Sequence, residues 1–119
     1  MASTAEDYMK FAEMLLNEGK APDGTELISE ESFRLFCSPM VSEDVMPGNQ
    51  IWGLGVRIIC GKHTLPIGSF GWSGAYGSHF WIDPVNKICA VYMKNSSYDG
   101  GAGCVTSVEF EKNVMNSLK

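Results

Sequence analysis

The chain lacks a long apolar run, a basic cluster and a paired-cysteine motif, and each absence removes a class of function. No stretch approaches the ~18 consecutive apolar residues of a membrane helix, so no spanning helix is expected. Nine Lys and Arg residues are scattered among fourteen Asp and Glu, for a net charge of −5. That leaves no electrostatic footprint for nucleic acid, and the mild acidity reads as a solubility feature. Met1-Ala2 shows neither the basic region nor the apolar region of a signal peptide. The four cysteines, Cys37, Cys60, Cys89 and Cys104, contain no C-x-x-C pair. Free thiols are expected, which favours a reducing, cytoplasmic compartment without fixing it. No internal repeat or low-complexity tract is present. At 119 residues, 45% apolar and 19% charged, the chain reads as one globular domain or part of one.

What is present concentrates between Gly68 and Pro84. There Gly68, Gly71, Gly74 and Gly77 are interleaved with aromatic residues and with the hydroxyls of Ser69, Ser73 and Ser78. A plain core strand gains nothing from so many glycines, which cost entropy and pack nothing. Glycine at this density implies a backbone that something approaches closely. Ordinary apolar strands flank the segment, Val56 to Cys60 and Ile88 to Met93.

The rest of the chain supplies a frame. Ser3-Thr4-Ala5-Glu6 reads as a capping box, followed by a helix with Tyr8, Phe11, Ala12 and Leu15 on one face and a stop at Gly19. Ala21 to Gly24 is a turn. Ser29 caps a short helix over Glu30 to Phe36, ended by Ser38-Pro39. Residues 40–49 read as a polar loop with Pro47-Gly48. Trp52, Leu54, Val56 and Ile58 alternate onto one face of a strand predicted over Ile51 to Cys60. Further strands are predicted over Ile67 to Gly74, Gly77 to Asp83 and Ile88 to Met93, the last covered on both faces. A tight turn at Asp83 to Lys87 joins the last two. Gly100 to Gly103 reads as a flexible link to a helix over Val105 to Leu118, with Val105, Val108, Val114 and Leu118 as core contacts. Short links make the strands antiparallel, so the fold class is α+β.

Several local motifs invite chemistry and have a plainer reading. Gly71-Trp72-Ser73-Gly74-Ala75 approaches the G-x-S-x-G elbow, but lacks its last glycine and the helix that must follow it. Gly53-Leu54-Gly55 lacks the third glycine of a dinucleotide fingerprint. Cys60 and His63 have metal-like spacing with no second pair, which suits a turn. His79 lies among aromatic residues with no evident acid partner, as a packed histidine does. The methionines read as core filler.

Three stretches together resemble the C-terminal portion of the serine β-lactamase and penicillin-binding-protein-like family, in the branch of class C β-lactamases, related esterases and D-aminopeptidases. Ser3-Thr4-Ala5-Glu6-Asp7-Tyr8 resembles the start of the helix after that family's "STA-x-D" turn. Trp52-Gly53-Leu54-Gly55-Val56 resembles its "WGLG" strand. Phe70 to Ser78, continuing to Asp83-Pro84, resembles "FGHGGA-x-GT…DP". In the family a K-T-G, H-x-G or W-x-G motif lies on a sheet-edge strand beside the substrate, and Trp72-Ser73-Gly74 matches the last form. The resemblance implies that Trp72 shapes the pocket wall where a basic residue would stand. It implies that Ser73 offers its hydroxyl to a substrate carbonyl or carboxylate, that Gly74 lets substrate approach, and that the Ala75 amide is one oxyanion-hole donor.

The chain departs from the family in what acyl transfer needs first. The nucleophile and lysine of S-x-x-K and the tyrosine of Y-x-N are absent from this sequence. The expectation is a single domain over residues 1–119 that is the C-terminal part of a serine hydrolase, inactive alone. It would act with its parent on a small ester, amide or lactam, and it needs no cofactor or metal. The alternative is a non-catalytic binding module derived from the same fold. Without upstream strands, the Ile88 to Met93 edge is expected to support self-association.

Overall fold

The computed structural model describes residues 2–118 except 43, 46 and 47. The elements run α1 (Ala5–Leu16), α2 (Glu30–Phe36), β1 (Gln50–Trp52), β2 (Arg57–Ile59), β3 (Phe70–Ser73), β4 (His79–Asp83), β5 (Ile88–Tyr92) and α3 (Val105–Asn116). The five strands form one antiparallel sheet in the order β1-β2-β3-β4-β5, as short connections dictate. The fold is the expected α+β arrangement. Among the described residues no helix is long and apolar enough to cross a membrane.

Strand alternation divides the core into two layers. Ile58, Phe70, Phe80 and Ile82 turn towards α1 and α2, where they meet Ala12, Met14 and Leu15. Phe80 packs edge-on against Tyr8 at 5.1 Å between ring centroids, and Phe70 takes Phe33 and Phe36 of α2 in the same way. Ile59, Leu65, Trp81 and Ala90 form a second cluster with Phe110, Val114 and Met115 of α3. The sheet is thus covered by helices on both faces.

Local chemistry sets the element ends. The first helix is capped one residue later than the capping box implies: Thr4 Oγ1 accepts from the Asp7 N–H at 3.1 Å, while the Asp7 carboxylate takes the Thr4 hydroxyl, also at 3.1 Å, in place of a backbone N–H. Ser29 caps α2 through the Ser32 N–H at 3.2 Å. Asp83 Oδ1 accepts from the N–H groups of Val85 and Asn86, at 2.9 and 3.1 Å, and shapes the β4–β5 turn.

The strand predicted over Ile51 to Cys60 is instead a hairpin, with Trp52 paired to Arg57. Leu54 and Gly55 turn the chain, Gly55 sits at φ 83°, and the Gly53 N–H donates to the Val56 carbonyl at 2.9 Å. The alternation of Trp52, Leu54 and Val56 fails here because Leu54 lies at the turn, exposed. Strands β3 and β4 are shorter than predicted, since residues 74–77 form their turn. Val105 at the start of α3 and Leu118 beyond its end are exposed, and the inward positions of the helix include Ser107 and Glu111. The Gly100 to Gly103 link is pinned rather than free. The Asp99 carboxylate accepts from the Val105 and Thr106 N–H groups at 2.8 and 3.0 Å, and the Gly101 N–H reaches the Gly74 carbonyl at 3.0 Å. Strand β5 is half-buried and pairs only with β4, so it is an edge. Of the loop predicted over residues 40–49, Pro47 lies outside the described residues.

Candidate functional site

Strand β3 lies inside the strand order, between β2 and β4, and is not a sheet edge over its length. Its far end behaves differently. Its pairing with β2 ends at Arg57 opposite Gly71, because β2 turns away there into the β1 hairpin. Beyond that point one side of the chain is unpaired. The Gly74 N–H donates to the Ser78 carbonyl at 2.7 Å, which makes Gly74 and Ser78 a hydrogen-bonded pair. By the alternation of an antiparallel ladder, the main-chain groups of Ser73, opposite His79, point away from β4. Ala75 lies beyond the ladder, in the turn to β4. Its carbonyl is covered by Gly100, where an added Cβ would lie 2.2 Å from that oxygen. Its N–H has no partner among the described residues. The Ser73 main chain and the Ala75 N–H therefore form a short free edge at the end of a strand that is paired on both sides at Phe70 and Gly71.

The two glycines of this stretch have different reasons. A Cβ on Gly71 would come within 2.1 Å of the Phe80 carbonyl oxygen, so the backbone that approaches Gly71 is that of β4. A Cβ on Gly74 would meet nothing nearer than 3.7 Å. The fold requires the first glycine and leaves space over the second.

Beside the free edge lies a cleft of ≈ 230 Å³, whose wall includes Tyr8, Trp72, Ser73, Gly74, His79 and Phe80. Trp72 is steadied by Trp52, with ring centroids 4.2 Å apart and planes at 57°. The "WGLG" hairpin thus reaches the same place as the Trp72-Ser73-Gly74 motif. No Lys or Arg is among the residues that line this cleft.

Under the edge, on the α3 side, lies a polar chain. Ser73 Oγ is 2.8 Å from His79 Nδ1, and His79 Nε2 is 3.0 Å from Glu111 Oε1. Glu111 Oε1 also accepts from the Arg57 guanidinium at 2.8 Å. All four side chains are buried. Burial alone would raise the Glu111 carboxyl, but the hydrogen bonds from His79 and Arg57, with their charge, outweigh it and hold the group below its ordinary value.

His79 has, then, the acid partner that the sequence did not reveal. Glu111 is thirty-two positions away, and Arg57 lies on a third element. A signal existed: Glu111 falls on the inward stripe of α3 with Phe110 and Val114, and a carboxylate there demands partners. Arg57 is likewise the one charged residue in a run from Val56 to Ile59. The other candidates stay apart from chemistry. Cys60 is exposed, and His63 accepts the Leu65 N–H at Nδ1, 3.2 Å away, as turn residues do. Gly53, Leu54 and Gly55 belong to the β1–β2 turn. All four cysteines are free thiols, and burial pushes that of Cys37 up to about 12.

Comparison with known proteins gives three findings. The family model described as Beta-lactamase matches residues 1–107. Two curated proteins of Mycobacterium tuberculosis are similar: the uncharacterized protein MT1414 of strain CDC 1551 / Oshkosh and protein Rv1367c of strain ATCC 25618 / H37Rv. Each is 31% identical over 107 residues, a match that covers 76% of this chain and 26% of the relative. The chain thus spans about a quarter of the length of these relatives. Among solved structures, "EstCE1, a hydrolase with promiscuous acyltransferase activity" superposes with a TM-score of 0.79 at 19% identity, over 95% of this chain and 30% of that one. At that identity the likeness is one of fold.

Proposed function

This chain belongs to the Beta-lactamase family, and we propose that it is the C-terminal part of a serine hydrolase acting on a small ester, amide or lactam. In that role residues Trp72 to Ala75 are the substrate-binding edge. The observation that carries the reading is the unpaired end of β3. There the Ser73 main chain points away from β4 and the Ala75 N–H has no partner among the described residues, with open space over Gly74. The Ala75 N–H is one oxyanion donor, a contribution of about 2.7–4 kcal/mol to a transition state. Trp72 forms the pocket wall, and Ser73 and Gly74 contact the substrate. The sequence holds neither S-x-x-K nor Y-x-N. The nucleophile and base belong to the remaining part of the parent protein, and this chain alone is inactive.

Two measurements test this. The gene upstream of the Met1 codon is expected to continue in frame through S-x-x-K and Y-x-N; a ribosome-binding signal directly before Met1 would favour a stand-alone binding module. The purified chain is expected to leave nitrocefin and p-nitrophenyl esters unhydrolysed and to gain no mass from a penicillin or fluorophosphonate probe. A stoichiometric adduct on Ser73, abolished in Ser73→Ala, would show that the nucleophile lies within this chain.

A further inference from the structure

The peptide that carries the Ala75 N–H is held by its other end. Its carbonyl belongs to Gly74, and that oxygen accepts twice: from the Gly77 N–H at 2.9 Å, within the β3–β4 turn, and from the Gly101 N–H at 3.0 Å. A trans peptide sets its N–H and C=O in opposite directions, and every described peptide bond is trans. With the carbonyl fixed towards Gly77 and Gly101, the Ala75 N–H points the other way, and Ala75 is exposed. The first bond is local to the turn. The second comes from the link between β5 and α3.

That link is itself braced. The Asp99 carboxylate receives the Val105 and Thr106 N–H groups at the start of α3. Lys94 Nζ donates to the Asp99 carbonyl at 2.8 Å, and the Lys94 stem lies over the turn, where a Cβ on Gly77 would come within 2.7 Å of its Cδ. The Ser96 N–H donates to the Tyr76 carbonyl at 3.0 Å. Gly100 passes so close to the Ala75 carbonyl that a side chain there would collide with it. Residues 94–101 therefore hold the carbonyls of Gly74, Ala75 and Tyr76 and leave the Ala75 N–H without a partner.

We propose that the link from Asp99 to Gly101 is a clamp on the oxyanion donor, in which Gly101 and Asp99 are positioning residues that hold the Gly74–Ala75 peptide with its N–H ready for a substrate oxygen. A donor aimed before the reaction costs no reorganisation as charge develops. A carbonyl that accepts two bonds also polarises its peptide, which strengthens the N–H as a donor. The inference rests on the reading of Ala75 as an oxyanion donor.

The test uses the chain itself, labelled with ¹⁵N, and three variants. In the natural chain the Ala75 N–H is expected to show an order parameter of about 0.85, as rigid backbone does, and to exchange its hydrogen without protection. Dipolar couplings of that N–H in a weakly aligning medium should fit the orientation frame of β3 and β4. Gly100→Ala drives the link off the Ala75 carbonyl but leaves the Asp99 side chain able to cap α3. There the Ala75 order parameter should fall below about 0.6 while exchange at residues 105–108 is unchanged, an effect that a helix cap alone would not produce. Asp99→Ala should loosen Ala75 as well. Asp99→Asn, which keeps an acceptor and tolerates the left-handed backbone at φ 51°, should restore it. An Ala75 as rigid in Gly100→Ala or in Asp99→Ala as in the natural chain overturns the clamp, as does one already loose in the natural chain; in each case the edge reading stands. An Ala75 still loose in Asp99→Asn overturns the part given to Asp99. An Ala75 N–H strongly protected from exchange in the natural chain has an internal partner, and then the edge reading fails and this inference falls with it.

Discussion

Glu111 is a carboxylate taken out of water and repaid by two donors, and such groups make stability conditional on their partners. Removing one member of a buried ionic set strands the rest, which costs about 3–5 kcal/mol. Glu111→Leu is expected to lower the unfolding free energy by that amount in urea titration, because it leaves the Arg57 guanidinium buried without an anion. The pH dependence follows with a definite sign. The folded state holds Glu111 below its ordinary value of 4.5, so the unfolded chain takes up its proton first. The stability contributed is therefore complete above the ordinary value and is lost as pH falls through the lower, folded one. Between about pH 6 and pH 3 the urea midpoint of the natural chain should fall more steeply than that of Glu111→Gln. Parallel pH profiles for the two would show that the carboxylate has no depressed value.

At the scale of elements, α3 shows how a distant side chain sets a boundary. Cys104 precedes the helix but makes no capping bond to it; the Asp99 carboxylate reaches across the glycine link and receives the Val105 and Thr106 N–H groups instead. The Thr106 hydroxyl also donates to Asp99 Oδ2, and that bond first, then the two N–H bonds, holds the Asp99 carboxyl below its ordinary value against the opposing effect of burial. Asp99→Ala is expected to speed amide hydrogen exchange at residues 105–108 while leaving the sheet protected; uniform loss of protection would place the role of Asp99 elsewhere. Sequence could not show this cap, because residues 100–104 separate Asp99 from the helix it caps. It did show α2 with both ends, since Ser29 and Ser38-Pro39 are local signals, and the β4–β5 turn, since Asp83 and Pro84 act on their neighbours. The β1–β2 hairpin was hidden for a physical reason. Leu54 at its tip kept an apolar alternation going, and only Gly55, in its left-handed conformation, marked the reversal. The site divided in the same way. Trp72 to Ala75 could be read from a contiguous motif, whereas the set of Arg57, His79 and Glu111 comes from three elements and exists only once they pack.

For the molecule as a whole, the sheet has two ends, and β5 is the one that matters for association. On β4, Phe80 and Ile82 direct their main chains to β3, so His79, Trp81 and Asp83 serve β5. Their partners Tyr92, Ala90 and Ile88 are thereby satisfied, and the N–H and C=O groups of Cys89 and Val91 point outward. No charge or proline interrupts Ile88 to Tyr92, and nothing among the described residues pairs with that side. An edge of this kind is a template for another strand. In the proposed parent protein upstream strands would cover it; in the isolated chain a second copy is the available partner. Light scattering over a concentration series is expected to show a rise from one chain towards two. The control follows from the register. Lysine at Val91 would disturb the core that its side chain joins, whereas Val91→Pro removes only an outward N–H and spares the ladder to β4. That variant should remain a single chain with the same fold by circular dichroism. If the natural chain stays monomeric at the highest concentration reached, the β5 edge is not a self-association surface. If Val91→Pro dimerises as well as the natural chain, the contact lies on another face.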